Sequence, residues 1–298
     1  MARPGKTTFD DRLLNLFIYT FMGITLLLVL YPLWFVVTAS FSEPDAVWRG
    51  ENALWIVGFQ IEGYKRIFLE GTVLKGYTNS ILYAIAGAFA SMALVLPFAF
   101  ALSRKTFPLT KAFTILMIVP LYFSGGLIPQ FLLIRSLGLY DTRFNMIVLG
   151  CFGAWNVFIA RAFFMSTIPE ELYESLVVEG GGYFIYFFKI VLPLSSAIIV
   201  VIGLFAGVAQ WNDFFKALIY LNDRSKWPLQ LILRDILTQT EASEAASLLY
   251  AESQEERMRI AGIIKYGLIV VASAPVLAIY PFLQKYFIKG VMLGAVKG

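Results

Sequence analysis

The chain has 298 residues, of which 59% are hydrophobic and 15% charged, with a formal net charge of +4 and no histidine. Its mean hydropathy of +0.73, and a charged fraction well below the roughly 25% of soluble domains, exclude a soluble globule with a polar shell. The absent histidine excludes His-dependent triads, His metal sites and the commonest general base; the single cysteine, Cys151, excludes an internal disulfide and a Cys-based zinc site.

Residues 1–12 are polar and basic, and an apolar run covers 13–39. That run is too long for a secretory h-region and lacks an A-x-A-like site at its end, so it is expected to be a retained first span. Five more apolar blocks follow at 77–102, 109–128, 144–166, 188–211 and 260–282, each able to cross about 30 Å of hydrocarbon as a helix. Backbone in lipid must satisfy its own hydrogen bonds, which makes the spans helical, and none alternates as a barrel strand would. The predicted fold is an all-α integral membrane protein of six transmembrane helices, forming a single domain over 1–298.

Arg3, Lys6 and Arg12 precede the first block; Arg104, Lys105 and Lys111 follow the second; Lys285, Lys289 and Lys297 lie in the tail. The positive-inside rule then places both termini and the 103–108 link in the cytoplasm, so the basic balance reads as membrane topology and not as a nucleic-acid surface. Residues 40–76 become an outer loop carrying Trp48, Trp55, Tyr64 and Phe68. Residues 212–259 become another, with an amphipathic helix expected from Glu241 to Arg259. Prolines 32, 97, 120, 193, 275 and 281 lie in or beside the spans and invite kinks.

The chain carries no G-x-x-x-x-G-K-[ST] phosphate loop. Ionisable residues inside the blocks are nearly absent: Lys265 starts the last and can snorkel outward, and Asp213 ends the fifth. This argues against a proton relay, a voltage sensor and an intramembrane hydrolase. The missing internal repeat also argues against a secondary transporter.

The cytoplasmic segment 167–194 reads TIPEELYESLVVEGGGYFIYFFKIVLPL. Pro169 can open a helix with Thr167 as its cap, and Glu170, Glu171 and Glu174 suit the positive end of its dipole. Leu172, Leu176 and Val177 fall near one face. Gly180, Gly181 and Gly182 permit a turn with φ > 0, and a second helix is expected from Tyr183 to Lys189, with Pro193 marking the entry to the fifth span. Two short helices meeting at a tight turn serve either as an elbow lying on lipid or as a peg docking into a partner's groove.

This segment resembles the E-A-A-x-x-x-G-x9-I-x-L-P signature of ABC importer permeases. Glu174, Gly180, Ile190, Leu192 and Pro193 stand at the family's spacing, while Ser175 and Leu176 replace two alanines, and Glu179 and Gly181 replace an Asp and an Ala. YPLWFVVTASFS at 31–42, FSGGLIPQFLLIRSLGLYDT at 123–142, QWNDFFKALIYLNDRSKWPLQLILRDIL at 210–237 and YPFLQKYFIKGVMLGAVKG at 280–298 resemble the branch of carbohydrate-uptake permeases that handles oligosaccharides and polysaccharide fragments.

The resemblance implies half of a translocation path in a bacterial cytoplasmic membrane, completed by a second permease, expected to be a different chain. It also implies two ATPase subunits that bind ATP and Mg, an extracytoplasmic solute-binding protein and no cofactor or catalytic site in this chain. On that basis the coupling loop is 167–189; Glu171, Glu174, Glu179, Gly180, Gly181, Leu192 and Pro193 are its ATPase-coupling residues. For the saccharide, aromatic rings, amides and a carboxylate near the outer half are the candidates: Tyr122, Phe123, Trp155, Asn156, Trp211, Asn212 and Asp213. Interfacial belts and helix–helix hydrogen bonds explain the same residue types. The competing readings are the same machine carrying a peptide or amino acid, and a multi-spanning membrane enzyme.

Overall fold

A computed structural model describes residues 9–69, 71–247 and 264–281. The described residues are helical, with no strand among them, and they fall into two compact units: Met1–Leu69 with Ile236–Ser273, and Glu70–Asp235 with Ala274–Gly298. In chain order the helices are α1 Phe9–Phe41, α2 Pro44–Trp48, α3 Glu62–Leu69, α4 Gly71–Ser103, α5 Thr110–Tyr122, α6 Leu127–Ser136, α7 Arg143–Val148, α8 Ala154–Thr167 and α9 Glu171–Val178. They continue as α10 Tyr183–Ile185, a π-turn Tyr186–Val191, α11 Leu192–Leu194, α12 Ser196–Asn212, α13 Phe215–Tyr220, a 3-10 turn Arg224–Lys226 and α14 Leu229–Ser247. Residues Ile264–Pro281 form α15.

Three helices among the described residues, α1, α4 and α15, are long and apolar enough to cross a membrane, and five spans result if the bent pairs α5–α6 and α10–α12 each count as one. The expected block 109–128 is therefore not one straight helix. It stops at Tyr122, and α6 leaves at 118° to α5; the turn between them uses Gly126 at φ +84°, a backbone conformation that is costly for residues with a Cβ. The block 144–166 is likewise interrupted: residues 149–153 separate α7 from the 14-residue α8, which at 1.5 Å per residue is only about 21 Å long. The expected block 188–211 is broken as well: the helical stretch that opens at Tyr183 ends at Leu194, and α12 leaves at 83° to it after Ser195. Pro193 has no N–H to close a helical bond two residues before that bend, which breaks the ladder there.

Three finer expectations also shift. The N-cap of α9 is Glu170, while Thr167 ends α8. The second helical piece of the elbow runs on to Leu194. The helix expected at 241–259 begins at Leu229 as α14, and residues 248–263 lie outside the described residues.

In the first unit, the end of α1 and the following segment fold together through backbone acceptors. Trp34 Nε1 donates to Leu54 O at 2.9 Å, Thr38 Oγ1 to Asn52 O at 2.9 Å and Gln60 Nε2 to Ser42 O at 2.8 Å. Phe41 stacks on Tyr64 with ring centroids 5.0 Å apart. The expected outer loop is thus largely built structure, and it leaves Trp48 and Trp55 exposed.

In the second unit, α4 is the central helix and packs on α12, α8 and α7. Near its C-terminal end Phe100 is the hub of an aromatic core: its ring lies 6.1 Å from Phe164 on α8, and 5.9 Å and 5.0 Å from Tyr186 and Phe187 of the π-turn. Phe164 and Tyr186 are fully buried. Truncating such a ring in a closed core costs about 3–5 kcal/mol. Phe164→Ala is therefore expected to lower the thermal unfolding midpoint of the purified protein sharply, while Tyr122→Ala, at a residue 80% exposed, leaves it nearly unchanged.

Candidate functional site: a helical elbow and a polar cleft

The elbow is α9, a glycine turn and the α10–π-turn–α11 stretch. Of its three glycines only Gly180 has positive φ, at +81°. Its N–H bonds Val177 O at 2.9 Å and the Gly181 N–H bonds Leu176 O at 2.9 Å, closing α9 with a left-handed residue. A methyl on Gly180 meets nothing, so glycine is needed there for the backbone and not for space.

Gly181 is needed for space. A methyl there overlaps Leu176 Cγ, and Leu176 packs, half-buried, against the aromatic core with Leu172 and Tyr173. The large residue at 176 and the small one at 181 are thus a matched pair. Leu172 and Leu176 form the inward face as expected, whereas Val177 is exposed along with Val178. Glu171, Glu174 and Glu179 are exposed, Leu192 is half-buried and Pro193 is exposed.

Glu170, at the head of α9, accepts from Lys105 Nζ at 2.9 Å. The hydrogen bond and charge of Lys105 hold the Glu170 carboxyl below its ordinary pKa, and the same contact raises Lys105. Glu170's contribution is present above the ordinary carboxylate range and lost on acidification; that of Lys105 is present below the ordinary ammonium range and lost on alkalinisation. The pair is therefore fully ionised across neutral pH.

The second feature is a cleft of about 370 Å³. Its polar lining is Gln130, Gln210, Asp213 and Lys216, and Tyr220, Leu127 and Leu149 lie among the rest. Lys216 Nζ donates to Gln210 Oε1 at 2.7 Å and Leu149 O at 2.9 Å, and sits 3.2 Å from Asp213 Oδ2. Burial pushes this lysine below its ordinary range, with Asp213 pulling the other way. The Tyr220 hydroxyl is buried with no hydrogen-bond partner among the described residues.

Of the seven residues proposed from the sequence as saccharide contacts, only Asp213 lines this cleft. Trp211 is buried with its ring edge-on to Tyr77 at 5.5 Å, and Asn212 Nδ2 bonds Val208 O within its own helix at 3.1 Å. Tyr122, Phe123 and Trp155 are exposed, and Asn156 is half-buried. Gln210, Lys216, Tyr220 and Gln130 line the cleft without being among the sequence candidates. The available signal was a lone charge, Lys216, inside the apolar run Phe214–Tyr220.

No family model matches the chain. It is 37% identical over 293 residues to the polygalacturonan/rhamnogalacturonan transport system permease protein YtcP of Bacillus subtilis, covering 97% of this chain and 99% of that protein. The chain belongs to the carbohydrate permeases of ABC transporters. The permease is also 34% identical over 280 residues to protein LplC of the same organism, covering 93% of this chain and 92% of that one. Its fold matches a chain of a bacterial ABC transporter involved in the import of the acidic polysaccharide alginate, with a TM-score of 0.84 and 28% identity over 96% of this chain and all of that one.

The matched pair in the elbow gives a direct test. Gly181→Ala alone overpacks against Leu176, a class of change that costs typically 1–3 kcal/mol, and Leu176→Ala alone leaves a void. The double variant is expected to be more stable than Gly181→Ala, as read from thermal unfolding of all three variants. Simple additivity of the two losses would contradict the pairing.

Proposed function

We propose that this permease forms half of the translocation path of an ATP-driven importer for an oligosaccharide or polysaccharide fragment in a bacterial cytoplasmic membrane. In this reading α1, α4, α5–α6, α7–α8, α10–α12 and α15 make six spans, with both termini in the cytoplasm as the basic flanks require. A second permease, expected to be a different chain, completes the path. An extracytoplasmic binding protein delivers the sugar, and two ATPase subunits bind and hydrolyse ATP with Mg.

The observation that carries the reading is the elbow. Its exposed acidic helix, set by the left-handed Gly180 and matched to the importer signature at Glu174, Gly180, Leu192 and Pro193, supports docking of a partner from outside. Closure of the ATPase pair pushes α9; the push passes through a packed, rigid peg into helices that have two arrangements. Glu171, Glu174 and Glu179 lie where a partner's groove would meet them, Gly180 and Gly181 fix the turn, and Leu192 and Pro193 join the peg to α12. ATP chemistry stays in the partner subunits.

For the sugar, the cleft supports a contact site. The orphan Tyr220 hydroxyl, the Gln130 amide and the Lys216–Gln210–Asp213 cluster offer donors and acceptors beside apolar walls, the mixture that small-molecule sites use. The relatives' named substrates, polygalacturonan, rhamnogalacturonan and alginate, favour saccharide over peptide or amino acid.

The test is ATPase activity of the complex reconstituted with its partner subunits and binding protein, for wild type and Gly180→Pro, against a panel of neutral and uronate oligosaccharides. Proline cannot adopt the φ at 180. Loaded binding protein is expected to stimulate wild type and not the variant, and the sugar that stimulates names the substrate. Equal stimulation of both would reduce the elbow to an interfacial structure.

A further inference from the structure

The link between α4 and α5 is a basic flank carrying Arg104 and Lys105. Three consecutive residues of that link hold the elbow. The Arg104 guanidinium lies 5.1 Å from the Phe100 ring centroid and 5.9 Å from that of Tyr186, the geometry of a cation over aromatic faces. Lys105 pairs with Glu170 at the head of α9. Thr106 Oγ1 and the Tyr183 hydroxyl share a hydrogen bond of 2.7 Å. Behind them Tyr183 stacks on Tyr173 with centroids 4.3 Å apart, Tyr173 lies 5.2 Å from Tyr186, and the Tyr186 hydroxyl donates to Pro169 O at 3.3 Å. Phe107, next in the link, stacks on Phe113 of α5. The contacts therefore run from both limbs of the elbow, through the link, into α4 and α5.

From this geometry we infer that Arg104, Lys105 and Thr106 clasp the elbow, so that link and elbow move as one body and carry the elbow's displacement to α4 and α5 as well as to α12. The inference rests on the coupling role proposed above. Its alternative is a hinge at the Ser195 bend, about which the elbow swings, dragging α12 and slipping past the link. Exposed ion pairs are weak singly. The stiffness here comes from three adjacent residues engaging both limbs around the fully buried Tyr186. Arg104, Lys105, Thr106 and Tyr183 are positioning residues: they act on the peg and touch neither nucleotide nor sugar.

The test uses the reconstituted complex with Lys105→Cys and Glu170→Cys in a Cys151→Ala background, since Cys151 is the chain's only cysteine. Sugar uptake and ATP hydrolysed per sugar imported are measured before and after bridging the two thiols with a short bis-maleimide. Unbridged, the clasp is loosened, and ATP hydrolysed per sugar is expected to rise by about threefold or more; bridging restores the ratio to that of the parent, with uptake within about twofold, because a rigid body needs no opening there. A block of uptake on bridging, or a ratio that neither state changes, overturns the clasp. Gly180→Pro run in parallel separates the two ideas. If it keeps stimulated hydrolysis, the coupling role itself fails; if it loses stimulation while bridging blocks uptake, coupling stands and the clasp alone falls.

Discussion

The elbow is tied to the membrane helices by one aromatic cluster. Phe100 of α4, Phe164 of α8, and Tyr186 and Phe187 of the π-turn meet with ring centroids 5.0–6.1 Å apart. Without it, α9 would be a short amphipathic piece on a glycine turn, and an eight-residue helix has little stability of its own. With it, the inward face of α9, carried by Leu172 and Leu176, rests on buried rings, and the acidic outward face is held in a fixed place. The π-turn belongs to the same solution. Its wider backbone brings Tyr186 and Phe187 both inward, which is the kind of local departure that π-segments mark at functional sites.

At the other end of the same helices the chain breaks. Residues 123–126 interrupt α5–α6 and residues 149–153 interrupt α7–α8, and both breaks border the cleft, which Leu127, Leu149, Gly150 and Cys151 line. Backbone groups that leave a helix need other hydrogen-bond partners when they are buried. Lys216 supplies part of that satisfaction by donating to the Leu149 carbonyl. The interruption, the buried lysine and the cleft are thus linked: a continuous helix through 149–153 would leave Lys216 without that acceptor, and a shorter residue at 216 would leave the carbonyl unpaired.

What the sequence discloses follows from how local its physics is. The long helices α1 and α4 are legible because hydropathy alone determines them. The turn at Gly180 is legible because a left-handed residue favours glycine, although three adjacent glycines do not reveal which one takes that φ. The breaks at 123–126 and 149–153 are hidden because their glycines sit in unbroken apolar runs, and hydropathy does not register a change of direction. The fit of Leu176 to Gly181 is equally hidden; as departures from a family pattern they look like two unrelated changes, and only a shared volume relates them. Lys216 reads as one more charge in a loop because its acceptor, Leu149, is 67 residues away. Trp211 illustrates the reverse: its side chain is the type that contacts sugars, yet it is 5% exposed and packed on Tyr77, a placement that residue type alone does not reveal.

In the proposed mechanism the outer face of α9 is where the ATPase drives the permease. The most direct measurement places a thiol-reactive photo-cross-linker at Glu174→Cys, in a Cys151→Ala background, in the assembled complex, and identifies what it captures with and without nucleotide. Capture of the ATPase subunit in high yield is expected, with a yield that changes between nucleotide-free and ATP-bound states. Capture of lipid alone in both states would contradict it.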